Sequence, residues 1–376
     1  MKRQHIHADV LLTITGLGLA VVAGAPVPVA SGGSLSPPAG PVAPTMKTLA
    51  EIEPRTAINA MNTPGDADST FKISMRGSYY LSGNVLGELG KHGIEVEAGD
   101  VTIDMMGFTL IGVPGSLDGI FSSDFYPHNI AITNGAIRDW GEDGLDLSTF
   151  GSLGAVVDGI RASNNGDNGI RVGQAGLVNR CTAVDNANNG ILTARGSMVN
   201  GSSASENGNN GISVGQGCTV VHCEAYGNEV RGITVSDSGT STVISHSIAA
   251  NNSGVGFYAL NGNVAISNCI AHLNASDGIL VGSDSFIRDN LCDANGYDVG
   301  SGAGIYIVGG GNRIEANNIT DNDRGIDVDV AGNLIIRNSA SGNGVNFDIV
   351  AGNIVGPTVT AATIAGNNNP HANYDY

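Results

Sequence analysis

A Gly-Ile dipeptide, or a close variant of it, recurs twelve times along this chain. The copies are Gly93-Ile94, Gly119-Ile120, Gly144-Leu145, Gly169-Ile170, Gly190-Ile191, Gly211-Ile212 and Gly232-Ile233, then Gly256-Phe257, Gly278-Ile279, Gly304-Ile305, Gly325-Ile326 and Asn346-Phe347. The intervals are 26, 25, 25, 21, 21, 21, 24, 22, 26, 21 and 21 residues. A period of this size marks a solenoid, in which each repeat buries its apolar side against the next.

The columns of the repeat say which solenoid. Counted back from a turn Asn, position −8 is β-branched throughout, from Val157, Val178, Val199 and Val220 to Ile244, Ile266, Ile287, Ile314 and Ile335. Position −5 holds Cys181, Ser202, Cys223, Ser247, Cys269 and then Asn, and position −3 is mostly Ala. The turn itself is Asn165, Asn186, Asn207, Asn228, Asn252 and Asn274, continuing to Asn343. Like residues meeting coil after coil require parallel strands stacked about 4.8 Å apart. The two-residue step from −5 to −3 is a strand period, and the three-residue step from −8 to −5 implies a bend between two short strands. The Ile after each Gly opens a third strand. The sequence therefore predicts an all-β chain: a right-handed parallel β-helix of about twelve coils, three strands per coil, roughly 55 Å long. The hexapeptide period of a left-handed helix, the Leu-rich consensus and the Gly-Gly-x-Gly-x-Asp calcium repeat are all missing. The Asn column reads as a structural ladder, each amide bonding those above and below it and its own turn.

Domain boundaries follow from composition. Residues 1–25, with Lys2 and Arg3 ahead of an apolar run from Val10 to Val22, read as a secretory signal, cleaved or kept as an anchor. Residues 26–45, rich in Pro, Gly, Ser and Ala, read as a flexible leader. Residues 46–90 are expected to cap the coil stack, residues 91–366 to form it, and residues 367–376 to close it. No segment after the first is apolar over a membrane-spanning length. The expected location is extracytoplasmic, secreted or at the cell surface.

A formal charge of −18 argues against nucleic acid as a partner. The four Lys residues all precede position 92, so the coils offer only Arg and His as cations. The five cysteines do not suggest a disulfide framework. Cys181, Cys223 and Cys269 share a column but lie two coils apart, about 9.6 Å, beyond the reach of a disulfide. They are expected to be buried free thiols.

These columns resemble those of the pectate-lyase-like right-handed β-helix superfamily over about residues 90–366. Leu49-Ala-Glu-Ile-Glu-Pro-Arg-Thr56, Gly77-Ser-Tyr-Tyr-Leu81 and Met106-Gly-Phe-Thr-Leu110 are similar to the entry segment of secreted bacterial members. The closing Asn369-Pro-His-Ala-Asn-Tyr374 is similar to their terminal segment. The resemblance implies a polysaccharide as partner. Its lyases, hydrolases and epimerases carry different motifs, and none is complete here. Gly144-Leu-Asp146 lacks the Gly-His-Gly of a polygalacturonase, and Asp124-Phe-Tyr-Pro-His-Asn129 departs from the Asp-Pro-His-Glu of a uronate epimerase.

Function is sought on outward positions. The column after Gly-Ile places Tyr258, Leu280 and Tyr306 on successive coils, an apolar stripe suited to stacking on sugar rings, with Arg171 further up the same column. Ile248, Ile270 and Leu291 are expected to extend it into one patch, covered by sugar, by the C-terminal tail or by a protein partner. Asp327, Asp329 and Asp348 gather carboxylates that are either solvated or hold Ca²⁺. His222 and His246, one coil apart with Glu224 beside them, are candidates for proton relay or metal binding, or a surface cluster without a role. Two functions stand open: a polysaccharide-binding protein, with or without catalysis, and a non-catalytic structural or interaction protein.

Overall fold

The computed structural model describes residues 53–123, 128–149, 151–236, 241–297, 300 and 302–376. The signal, the leader and the start of the cap segment lie outside the described residues. Among the described residues, thirteen parallel strands, from Ser69–Ile73 to Val345–Ile349, form one sheet and twenty-six form the other. Most coils give the larger sheet two strands, as in Leu177–Asn179 with Thr182–Val184, each stacked on its counterpart in the next coil. Two longer strands, Ala131–Arg138 and Val156–Ser163, run unbroken around the bend between the two ladders. Residues 156–158 thus pair with one neighbouring strand and 161–163 with the next.

The architecture is the predicted parallel β-helix, with thirteen coils where the repeat suggested twelve. In the added coil Phe71 pairs with Ile94, so Thr70-Phe71 stands where later coils have Gly-Ile. An antiparallel bridge from Pro64 to Phe71 folds the preceding turn across that first strand.

Corners are set by left-handed backbone. Arg180, Gly201, His222, His246, Asn268, Asp289, Ala316 and Arg337 occupy one corner of successive coils with φ between 51° and 62°. A second such corner immediately precedes the turn Asn, as at Asp185, Glu206 and Asn251. L-residues resist this region by roughly 1–2 kcal/mol, and at the second corner the turn Asn holds the bend in place.

These Asn side chains form one continuous stack. Asn186 Nδ2 donates to Asn207 Oδ1 at 2.9 Å and back to the Ala162 carbonyl at 3.4 Å. The same Asn207 oxygen accepts the Asn186 backbone N–H at 3.1 Å. Both donors and the acceptor oxygen of a buried amide are thereby satisfied, which removes the cost of burying it. The pattern runs from Asn165 through Asn228, Asn252 and Asn274 to Asn343. It also explains the dipeptide. A Cβ on Gly190 would lie 2.6 Å from Asn207 Nδ2, and one on Gly211 would lie 2.6 Å from Asn228 Nδ2. The glycine is there for close approach to the stack, not for a positive φ.

Inside the coils, Val157, Val178, Val199, Ile244 and Ile266 are fully buried beside the Ile of each dipeptide. All five cysteines are free and buried. Burial pushes the thiols of Cys181, Cys223 and Cys269 up to about 11, so they sit as apolar fillers that donate to nearby carbonyls. Further on, the same column becomes a second amide stack, with Asn290 donating to Asn317 at 2.9 Å. Among the described residues, no helix is long and apolar enough to cross a membrane.

Candidate functional site

The thirteen-stranded sheet presents one outward residue per coil. Glu95, Phe121, Asp146 and Arg171 stand in register on consecutive coils, and Tyr258, Leu280, Tyr306, Asp327 and Asp348 continue the column lower down. Beside it runs a second column, formed by the residue before each Gly. Here the side chain of one coil accepts the backbone N–H of the next. Asp118 N donates to His92 Nδ1 at 3.2 Å, Asp143 N to Asp118 Oδ1 at 2.7 Å, and Asn168 N to Asp143 Oδ1 at 2.7 Å. Asn168 continues the pattern, accepting the Asn189 backbone N–H at 3.2 Å. From there the column goes on as an amide stack in which Asn189 Nδ2 donates to Asn168 Oδ1 and Asn210 Nδ2 to Asn189 Oδ1. Only one oxygen per coil is needed for this job. Where the column carries Asp, a second, charged oxygen is left over.

The two columns meet in an open cleft of about 540 Å³, lined by His92, Asp118, Phe121, Asp143, Asp146 and Arg171, with Glu142 and Asp167 also in the wall. Asp118, Asp143 and Asp146 are only 5%, 4% and 8% exposed. One guanidinium nitrogen, Arg171 Nη1, reaches both Asp146 Oδ2 at 3.5 Å and Asp143 Oδ2 at 3.7 Å. The His92 ring stacks on Phe121 with centroids 4.4 Å apart. Its Nδ1 lies 3.2 Å from Asp118 Oδ2.

Burial pushes the Asp143 carboxyl up to about 7. The hydrogen bonds from Asn168 oppose that rise, while the charges of Asp146 and Asp118 add to it. Asp146 is also raised by burial, against the Ser148 hydrogen bonds and the Arg171 charge. A carboxyl that exchanges its proton near neutrality, next to one held by a guanidinium, is the pairing general acid–base chemistry uses. Sequence alone singles out Asp146, in Gly144-Leu-Asp146, and Arg171, in the outward column, and it passes over His92, Asp118 and Asp143. Their signal was faint: Asp at 118 and 143, where the next three coils carry Asn168, Asn189 and Asn210.

The other expected sites lie away from this cleft. Tyr258, Leu280 and Tyr306 do form consecutive steps of one column. Arg231, however, lies over the Tyr258 ring, its Cζ 3.7 Å from the centroid. Ile248, Ile270 and Leu291 stack in the other sheet, so the single apolar patch becomes two columns on two sheets, with the Asn corner between. Between Asp327 and Asp348 stands Arg324, bonded to Asp327 Oδ2 through Nη1 and 3.7 Å from Asp348 Oδ2 through Nε. Its guanidinium supplies the positive charge that these stacked carboxylates require. Asp329 instead accepts a 2.7 Å hydrogen bond from the Tyr306 hydroxyl, which that bond pushes up to about 12.

His222 and His246 are exposed neighbours with ring centroids 5.2 Å apart. Glu224 lies exposed on the strand just after His222, paired with Ile248. Among the described residues, three ligand-bearing side chains converge at Asp66, Asp68 and Glu95. Lys72 Nζ already sits there, 3.0 Å from Asp66 and 3.2 Å from Glu95. Asp124 to Pro127, the stretch compared with the epimerase motif, lie outside the described residues.

Stacked three-strand coils of parallel strands define a class, the parallel β-helix proteins. The chain belongs to the right-handed β-helix family, whose "Right handed beta helix region" matches residues 71–230 and 213–369. Among solved structures it is similar to two mannuronan C-5 epimerase modules from Azotobacter vinelandii. The AlgE4 A-module is 16% identical with a TM-score of 0.55, over 80% of this chain and 88% of that one. The AlgE6 A-module is 13% identical with a TM-score of 0.54, over 81% of this chain and 87% of that one. No curated protein sequence matches the chain.

Proposed function

We propose that this protein is exported, binds a polysaccharide along the outward face of its thirteen-stranded sheet, and hydrolyses a glycosidic bond in the Asp143–Asp146 cleft. One observation carries the reading: two buried carboxylates share one guanidinium, and one of them has its pKa near 7. Asp143 donates its proton to the glycosidic oxygen, and Asp146, favoured as carboxylate by Arg171, acts as the base or nucleophile of a two-carboxylate mechanism. Export rests on the basic and apolar segment of residues 1–25. A glycan partner is supported by the likeness to epimerases of mannuronan and by the extended open face. Charge decides between reaction types. Elimination or epimerisation of a uronate requires a free cation to neutralise the substrate carboxylate. Here five acidic side chains surround Arg171, which two of them already engage. A neutral glycan suits such a cleft better.

The test is incubation with neutral and acidic polysaccharides, following reducing ends and the absorbance of unsaturated uronate together. Reducing ends without that absorbance are expected, and Asp143→Asn or Asp146→Asn should abolish them. Unsaturated product would reassign the reaction to elimination. No product from any glycan, or full activity in both variants, would overturn it.

A further inference from the structure

We propose that His222 and His246 form a binding site for a late first-row divalent cation such as Zn²⁺, on the outside of the larger sheet. The two imidazoles belong to adjacent coils, with centroids 5.2 Å apart and planes tilted by 39°. That spacing matches a shared ion. With a Zn–N bond of about 2.0–2.1 Å, a ring centroid stands roughly 3.2 Å from the metal, so two rings at a tetrahedral angle have centroids about 5 Å apart. The rings need only small rotations to converge.

The spacing belongs to the scaffold. Both residues hold the left-handed corner, with φ of 54° and 51°. The strands next in the chain, Glu224–Tyr226 and Ile248–Ala250, are locked in register. Both side chains are exposed, and among the described residues no hydrogen bond or ion pair engages their ring nitrogens. The corner itself does not call for histidine, since the equivalent positions hold Arg180, Gly201, Asn268 and Asp289. Neutral imidazole favours zinc, copper and nickel over hard cations. Exposed Glu224 adds negative charge nearby, and water completes the coordination of an open site of this kind.

Isothermal titration of the untagged full chain with Zn²⁺ tests this, in the wild type and in His222→Asn and His246→Asn. Asparagine already occupies this corner at position 268, so both variants should melt like the wild type in the absence of metal. The His222–His246 site should take one Zn²⁺ in the wild type, and each variant should bind that ion at least ~10-fold more weakly. Histidines elsewhere in the chain, including His5 and His7, would bind equally in all three proteins. Unchanged affinity in both variants, or no saturable binding to the wild type, would sink the proposal.

Discussion

Arg171 lies 3.5 Å from Asp146, its partner in register on the preceding coil, and that contact holds a guanidinium against a carboxylate that is 8% exposed. Removing the cation leaves a buried charge without its partner, the costly half of breaking an ion pair. Arg171→Gln should therefore raise the pKa of Asp146 further and lower kcat on the cleft's substrate by about 100-fold, the lower end for losing one acid–base group. A pH–rate profile checks it. The loss of the proposed activity should be smallest at the highest pH where the protein stays folded, since Asp146 then ionises without help, and a uniform loss at every pH would point to simple misfolding.

Asp143 makes stability depend on pH in an unusual direction. Its carboxyl titrates at about 7 when folded, far above the ordinary aspartate range, because burial penalises its charge. A raised folded-state pKa gives a contribution that is complete below the unfolded value and is lost as the pH climbs through 7. Asp143→Asn does not ionise and keeps the backbone acceptor that Asn168 displays in the same column, where its Oδ1 accepts the Asn189 backbone N–H at 3.2 Å. The unfolding free energy of the variant, followed by denaturant titration, should accordingly gain on that of the wild type between pH 4 and pH 8, towards a limit of about 4 kcal/mol. A constant difference across that range would mean that Asp143 titrates normally.

Asn207→Leu should lower the melting temperature by about 10 °C. Leucine strips the partners from the Asn186 amide and backbone N–H on one side and from Asn228 on the other. Each stranded buried group costs roughly 1–3 kcal/mol. Thermal melts followed by circular dichroism measure the effect, and an unchanged midpoint would show that the stack contributes nothing.

Arg324 predicts the response to Ca²⁺. While its guanidinium neutralises Asp327 and approaches Asp348, added Ca²⁺ should leave the melting temperature of the wild type in place. Arg324→Gln should create a Ca²⁺-dependent gain, reversed by chelation. If the wild type already gains, the ion competes successfully with the arginine.

Tyr258→Ala should weaken polysaccharide binding roughly tenfold, the scale of a single 1.4 kcal/mol contact, without changing the fold. Arg231→Ala separates two roles for the ring it covers. Tighter binding would show that the guanidinium masks a stacking surface, and weaker binding that the arginine itself holds the glycan.

The period of the repeat decided the architecture on its own, because stacked parallel strands force each residue to sit on its own kind. Column arguments of that sort place Asn207 on Asn228 and Leu280 on Tyr306 with no knowledge of angles. They failed where the repeat lapsed, so the coil opening with Thr70-Phe71 went uncounted. They also failed where two columns had to be placed on sheets: Ile248 and Tyr258 are ten residues apart, yet an amide-filled corner divides them. The cleft was harder still. Nothing in the one-dimensional pattern shows that Asp118 and Asp143 lend one oxygen each to the backbone of the next coil and bury the rest of their charge beside Asp146 and Arg171. The stack is legible from the chain alone, because register is a matter of period and size. Which carboxylates share a low-dielectric space is settled by the folded coils, because proton affinities depend on distance and burial across them.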